Sequence, residues 1–506
     1  MAALALIGLL AVLQLLCVPG HYLGREHDDV QYVLAARALL EGRYSLGVSP
    51  GDPPLTFVTP GWPLLLTPAA AVAPEASLGY ELWAWGWLAL CDLLAWLWFR
   101  RRMRAPAAAA ATALFALNPL VLARAGVVMS EVPFLAVTLA TLLLLERGRT
   151  LLPGDDAGHR AGPEFVPGLA GGVSGLLLGF AFLIRPGALP LLPAVWCWYL
   201  WKGRRRDAAW SAAVALAPIL AWRAWVGAKG ARLAEAQELS MTLWGTGPAV
   251  WLGVARDNLV AALTLWGDTL LPWGPGAPHP GAALALGCLL AVMSLAGVGL
   301  LLRRGGCDAG ALFLLGGIAL HLAWPWWYDR YLLPYLPFLI WGLWHAVVRV
   351  ARSERIAAVV FAAATLLPLP AKGTAFVRAA SARGRPELSR TYAWIRDNTP
   401  QEALFAAAFY TRDAYYTGRP FVPLPFCAEG ALAETLRAHR VRYVLWQRPP
   451  GLGSSLGPAF RASRMLRNAG AELGGAGFRA VHRAPGEAAA LYELTPLSDG
   501  GEGEGD

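Results

Sequence analysis

Apolar runs of about twenty residues, separated by short clusters of arginine and lysine, recur along this chain, and that alternation leaves few folds open. About twenty helical residues cross the hydrocarbon of a bilayer. Backbone inside that layer must satisfy its own polar groups, so repeated runs predict a bundle of membrane helices. The runs fall at 2–19, 79–99, 106–123, 129–146, 168–184, 186–201, 208–226, 281–302, 310–325, 331–348 and 356–371, about eleven spans. Composition agrees: 56% of the 506 residues are hydrophobic and only 15% charged, whereas a soluble chain of this length keeps more charge on its surface. The 23 Trp and 38 Pro suit membrane helices, where Trp anchors at interfaces and Pro is tolerated. The first run has no charged n-region and no A-x-A site after it, so it is expected to stay as an anchor.

The net charge of +9 has to be read by location. "RRRMR" (Arg100–Arg104), "KGRRR" (Lys202–Arg206), "RR" (Arg303–Arg304) and "RVARSER" (Arg349–Arg355) fall on one side of the predicted spans, which the positive-inside rule makes cytoplasmic. Such short clusters set orientation and give no reason to expect nucleic acid as a partner. Loops 20–78 and 227–280 are then outside, and an odd number of spans puts the C-terminal region outside too. In the first loop, "TPGWPLLLTPAAAVAP" is apolar but short and interrupted by Pro, the pattern of a re-entrant or interfacial piece, and "ARDNLVAALTLWGDTLLPW" in the second loop is similar. The six Cys show no CxxC or Cys/His spacing, so neither a zinc site nor a disulfide framework is expected.

Beyond Lys372 the pattern becomes that of a soluble module. "ELSRTYAWIRDNTP" and "AEGALAETLRAHR" have helical periodicity, and "ALFAAAF" and "VRYVLW" have strand character. The alternation predicts a small α/β domain. The expected organisation is 1–371 as the membrane domain, with outer loops 20–78 and 227–280 forming its site, 372–496 as an extracytoplasmic α/β domain, and 497–506 as a disordered acidic tail.

A few polar groups stand out against this background. "GREHDDVQYVLAARALLEG" opens an amphipathic helix with Asp28 and Asp29. Asp28 with Gln31 fits a capping box, and acids in a first turn suit the helix dipole. Neighbouring helical residues point about 100° apart, so one Asp can face a site while the other caps or holds a partner such as Arg25 or Arg37. Glu131 opens the fourth span, with Ser130 as its expected N-cap. Arg185, in "FLIRPGALP", lies where the fifth span turns into the sixth. It suits either a lipid headgroup or a lipid-linked phosphate. In "WPWWYDRYLLPYLPFLI", Asp329, Arg330 and Tyr331 form either an interfacial belt with an ion pair or part of a site. All these groups are predicted on the outer face, where a carboxylate can take a proton from an acceptor hydroxyl and a cation can steady a phosphate leaving group.

These segments resemble the GT-C glycosyltransferases of the protein O-mannosyltransferase and aminoarabinose-transferase type. "DDVQYVLAARALLEG" is similar to their "DE-x-x-Y" segment, with Tyr32 at the Tyr, and "TPGWPLLL" to the Pro-rich piece that follows it. "SEVPFLAVTLATLLLL", "LIRPGALPLLPA" and "DRYLLPYLPFLI" resemble later segments. "WIRDNTP", "YTGRPFVP" and "VRYVLW" resemble the extracytoplasmic module of bacterial members. The resemblance implies a GT-C membrane domain and inverting transfer of a sugar from a polyprenyl-phosphate donor to a lipid, glycan or protein acceptor, in a multi-pass protein of the plasma (inner) membrane. It implies Asp28 as acceptor-activating base, Asp29 and Glu131 as further catalytic acids, and Arg185, Arg330, Tyr331 and Tyr32 in substrate binding. No cofactor and no metal cluster is expected, although Asp28, Asp29 and His27 could together hold a divalent ion. "FVTPGWP" lacks the Lys of the aminoarabinose transferases, so another cation has to substitute or the donor differs. The alternatives are a flippase of lipid-linked saccharides, which predicts ionisable groups near the bilayer midplane, and a non-catalytic scaffold.

Overall fold

The computed structural model describes residues 2–18, 23–24, 26, 28–146, 168–230, 248–272, 279–324, 327–381, 388–425, 430–447, 470–475 and 477–495. Arg25, His27 and the tail 497–506 lie outside the described residues. The chain divides into two compact units, Met1–His21 with Thr56–Gly384, and Tyr22–Leu55 with Arg385–Asp506.

The first unit is helical, and each of the eleven apolar runs coincides with a helix. Among the described residues, five helices are long and apolar enough to cross a membrane: Ser77–Arg100, Arg205–Ala228, Pro280–Arg303, Asp329–Ala351 and Glu354–Ala380. Shorter apolar helices, such as Glu131–Leu145, Leu169–Ile184 and Ala309–Ala323, pack with them. The two pieces expected to lie re-entrant or interfacial are also helices, Gly61–Val72 and Pro248–Asp268.

Close backbone packing holds this unit together. "GGVSGLLLG" places Gly171, Gly175 and Gly179 four residues apart, on one face of Leu169–Ile184. A Cβ at Gly171 would meet the backbone of Asp207 at 2.5 Å, one at Gly175 that of Ser211 at 2.7 Å, and one at Gly179 that of Ala215 at 2.9 Å. Apolar side chains gain little by leaving lipid, so helices associate in lipid through such close contacts. A polar staple adds to this. Arg102, read in the sequence as part of an orienting cluster, is buried on the Trp98 ring (3.9 Å). It pairs with Glu146 and lies 3.5 Å from Asp308, so its charge is spent between helices.

The second unit is built on a five-stranded sheet of β1 (Phe405–Ala407), β2 (Phe421–Pro423), β3 (Tyr443–Gln447), β4 (Phe478–His482) and β5 (Ala489–Leu494), in the order β2-β1-β3-β5-β4. The first three strands are parallel, and β5 runs antiparallel to β3 and β4. Side chains alternate between faces. Phe405, Ala407, Tyr443 and Leu445 join Tyr392 and Ile395 in one core cluster, while Ala406 and Val444 meet Leu432 and Leu436 in another. Both predicted helices, Ser389–Asn398 and Leu432–Ala438, and both predicted strands are present.

Tyr22–Leu55 groups with this sheet. Phe421 N donates to Val48 O (2.7 Å) and Ser49 Oγ to Phe421 O (2.7 Å), which covers the edge strand β2. Val48, Leu34 and Leu46 also enter the first core cluster. Helix Asp28–Leu40 is therefore part of a unit whose remainder lies more than 300 residues further along the chain.

Candidate active site

In the first unit the candidate groups converge on Glu131, which is only 1% exposed. Three local features deliver them. Helix Glu131–Leu145 begins at the glutamate, where the helix dipole favours an anion. Helix Leu169–Ile184 stops before Pro186, because a residue that precedes proline is pushed out of the α region. Arg185 accordingly has extended backbone (φ −157°, ψ 123°). Arg330 comes from the 3-10 stretch Asp329–Tyr335, which leads into helix Leu336–Ala351.

Arg185 Nη1 donates to Glu131 Oε1 (2.8 Å) and to Ser130 Oγ (3.0 Å). Arg330 Nε lies 3.0 Å from the same Glu131 oxygen. Arg124 adds a third positive charge that acts on Glu131. Three positive charges thus act on one carboxylate. Aromatic faces back them: Arg185 lies over Tyr331 (5.0 Å) and Arg330 over Tyr328 (4.5 Å). Cations over ring faces gain from the ring quadrupole.

The sequence expected Ser130 to cap its helix. No side-chain cap bond forms there, and the hydroxyl accepts from Arg185 instead. Arg330, for which the sequence left open an ion pair with Asp329 or a place in a site, forms an ion pair with Glu131 on a helix far away in sequence. The Pro-rich piece packs behind Arg185: Thr59 Oγ1 donates to Ile184 O (3.5 Å), and Trp62 Nε1 to Val128 O (3.4 Å).

Two groups went unnoticed in the sequence. His321 Nδ1 donates to Gly317 O (2.9 Å), and its ring packs against Tyr331 (5.1 Å) and Tyr335 (5.4 Å). A single His within "GGIALHLAW" was the available signal. Asn258 Nδ2 donates to the carbonyls of His321 (3.0 Å) and Trp324 (2.8 Å) and so fixes the end of helix Ala309–Ala323. Nothing local in the sequence marks that role.

The acid pair lies in the second unit. Helix Asp28–Leu40 carries both acids in its first turn. Asp28 is half-buried, whereas Asp29 is 2% exposed. Asp29 Oδ2 accepts from Gly24 N (2.9 Å) and Oδ1 from Val30 N (2.9 Å). Burial pushes the Asp29 carboxyl up from 3.8 to about 6, against the opposing pull of those two N–H bonds. Asp29 thus ties the approaching chain to the helix. Tyr32 is half-buried on the same helix, close enough to act electrostatically on Tyr44. Arg37 Nη2 donates to Tyr415 Oη (3.4 Å).

Among the described residues there is no group of three or more His, Cys, Asp or Glu able to hold a metal ion. His27 lies outside the described residues, so the ion site drawn there falls outside them as well.

The fold and its apolar helices define the class: an integral membrane protein with the GT-C fold and a small α/β unit. The chain is similar to ArnT from Cupriavidus metallidurans bound to undecaprenyl phosphate, with a TM-score of 0.60 over 98% of this chain and 99% of that one at 12% identity. It is also similar to the Archaeoglobus fulgidus oligosaccharyltransferase tethered with an acceptor peptide, with a TM-score of 0.54 over 92% and 72% of the two chains at 14% identity. A third similar structure is the oligosaccharyltransferase AglB of A. fulgidus in complex with an inhibitory peptide and a dolichol-phosphate (TM-score 0.54, 14% identity, 88% and 69% covered). No family model and no curated protein sequence matches the chain.

Proposed function

We propose that this protein is an inverting glycosyltransferase that moves a sugar from a polyprenyl-phosphate donor to a lipid, glycan or protein acceptor on the extracytoplasmic side of the membrane. The observation that carries the reading is the meeting of Arg185 and Arg330 at one buried oxygen of Glu131, within a fold whose solved examples bind undecaprenyl phosphate and dolichol-phosphate. Arg recognises a phosphate with a planar fork.

In this reading Arg185 and Arg330 hold the donor phosphate, and their charge stabilises it as it leaves. Tyr331 supports Arg185 from beneath. Glu131 aligns the two arginines, a role that fits its burial better than proton transfer does. Asp28 takes the acceptor's proton as the acceptor attacks the anomeric carbon, and Asp29 fixes the turn that carries it. The sugar–phosphate bond breaks in the same step, and polyprenyl phosphate departs with the electron pair. We further propose about eleven spans, with the basic clusters cytoplasmic.

The test is binding of undecaprenyl phosphate to the purified full chain. Wild type should bind it, Arg330→Ala should bind at least tenfold more weakly, and equal binding by both would remove the phosphate site from this cluster.

A further inference from the structure

The acid turn is held by a chain of contacts that starts at one tyrosine. Helix Tyr410–Thr417 presents Tyr416, whose hydroxyl donates to Leu23 O (2.6 Å) and accepts from Leu23 N (3.1 Å). One hydroxyl thus engages both backbone groups of one residue. The next residue, Gly24, has φ +97°, in the left-handed region that favours glycine, and its N–H is the one that reaches Asp29 Oδ2. A Cβ on Gly24 would collide with the methylenes of Arg412 on the same helix. Arg412 is itself immobilised, with Nε and Nη2 each 3.2 Å from Asp413 Oδ1. Asp413 also accepts from Tyr392 Oη (2.7 Å) and from Gln447 Nε2 (3.0 Å), at the end of β3.

We propose that Tyr416 is a positioning residue for the transfer reaction: its hydroxyl clamps Leu23, so that the Gly24 N–H stays on Asp29 and the Asp28–Asp29 turn keeps one orientation. The proposal rests on the acceptor-activating role given to Asp28 above. It gives helix Tyr410–Thr417 a task in catalysis. Among the described residues, Glu26 and Asp28 from its own segment face Asp29, and both oppose its ionisation. The neighbouring helix brings Arg412, whose charge is taken up by Asp413. The Gly24 N–H therefore does much to keep Asp29 a carboxylate. Without it, Asp29 needs a higher pH to ionise.

The variant is Tyr416→Phe in the full chain. It removes one oxygen and keeps the ring, which stacks on Tyr392 at 5.4 Å. Two measurements are made: backbone hydrogen exchange, and turnover of a glycosylated undecaprenyl phosphate between about pH 5 and 9. Loss of the clamp should speed exchange across residues 23–30 by about tenfold, leave β1 and β3 protected, and shift the acidic limb of turnover to higher pH. Wild-type exchange across 23–30 overturns the clamp whatever turnover does. Faster exchange with a wild-type pH profile overturns the positioning role. Protection lost throughout the sheet overturns it as well, because Tyr416 would then support the whole unit. Failure of the base reading has a separate signature, wild-type turnover in Asp28→Asn with Tyr416 intact.

Discussion

Glu131→Gln separates an acid that holds arginines from one that transfers protons. The substitution keeps the shape of the side chain and removes its charge. Glu131 Oε1 serves Arg185 at 2.8 Å and Arg330 at 3.0 Å, and the carboxylate is 1% exposed. Hydrogen bonds to charged groups contribute about 1.5–3 kcal/mol each. Breaking a buried pair by removing one partner costs about 3–5 kcal/mol, because the other charge stays buried and uncompensated. One carboxylate meets two arginines here, so a loss within that range is expected. The assay is thermal unfolding in detergent, with and without undecaprenyl phosphate. Glu131→Gln should unfold at a markedly lower temperature, and the lipid phosphate should restore more stability to it than to wild type, since the added anion takes the place of the lost one. Saturating ligand adds about 2.7 kcal/mol at one hundred times Kd, so the rescue is measurable. Wild-type stability in Glu131→Gln would refute this reasoning, and if turnover were lost at the same time Glu131 would return to the role of a catalytic acid.

Other perturbations address the remaining groups. Arg185→Lys keeps the charge but not the fork that reaches Ser130 and Glu131 together, so undecaprenyl phosphate should bind about tenfold more weakly, and Arg185→Ala more weakly still. Asp28→Asn should cost about 10²–10⁴-fold in turnover at matched expression, because Asn preserves the helix start but takes no proton; near wild-type turnover would end the base assignment. The raised Asp29 value makes the folded state bind its proton more tightly than the unfolded chain does. The resulting stability is complete below about pH 4 and is lost, by roughly 3 kcal/mol, as pH rises through about 6. Asp29→Asn should flatten that slope in chemical denaturation at acid and neutral pH.

Local signals in the sequence exposed much of the helical frame. Each of the eleven apolar runs marked a helix of the first unit, and period-two and helical patterns marked β1, β3 and the helices Ser389–Asn398 and Leu432–Ala438. Arg185, Arg330 and Glu131 each stood out singly, because a charge at the edge of an apolar run has to be accounted for. Their convergence was not legible, since a pair separated by 54 residues has no periodic signature. The same holds for the grouping of Tyr22–Leu55 with the sheet, which depends on Phe421 N bonding Val48 O, 373 residues apart by their numbers. Arg102 shows a further limit of local signals. A basic cluster at a span end signals orientation, yet this member is buried against Trp98 and Glu146. Composition does not distinguish a solvated arginine from one spent between helices. Asp28 and Asp29 were separable in principle, because adjacent helical residues diverge, but the fully buried one became identifiable only with Gly24 in place beside it.

The account's central claim is that the arginine cluster holds a polyprenyl phosphate. Mass spectrometry of the lipids that copurify with the full chain, compared between wild type and Arg185→Ala/Arg330→Ala, tests it most directly. The account predicts polyprenyl phosphate or its glycosylated form on wild type and its loss from the double variant. Equal amounts on both, or none on either after the membranes are supplemented with undecaprenyl phosphate, would contradict it.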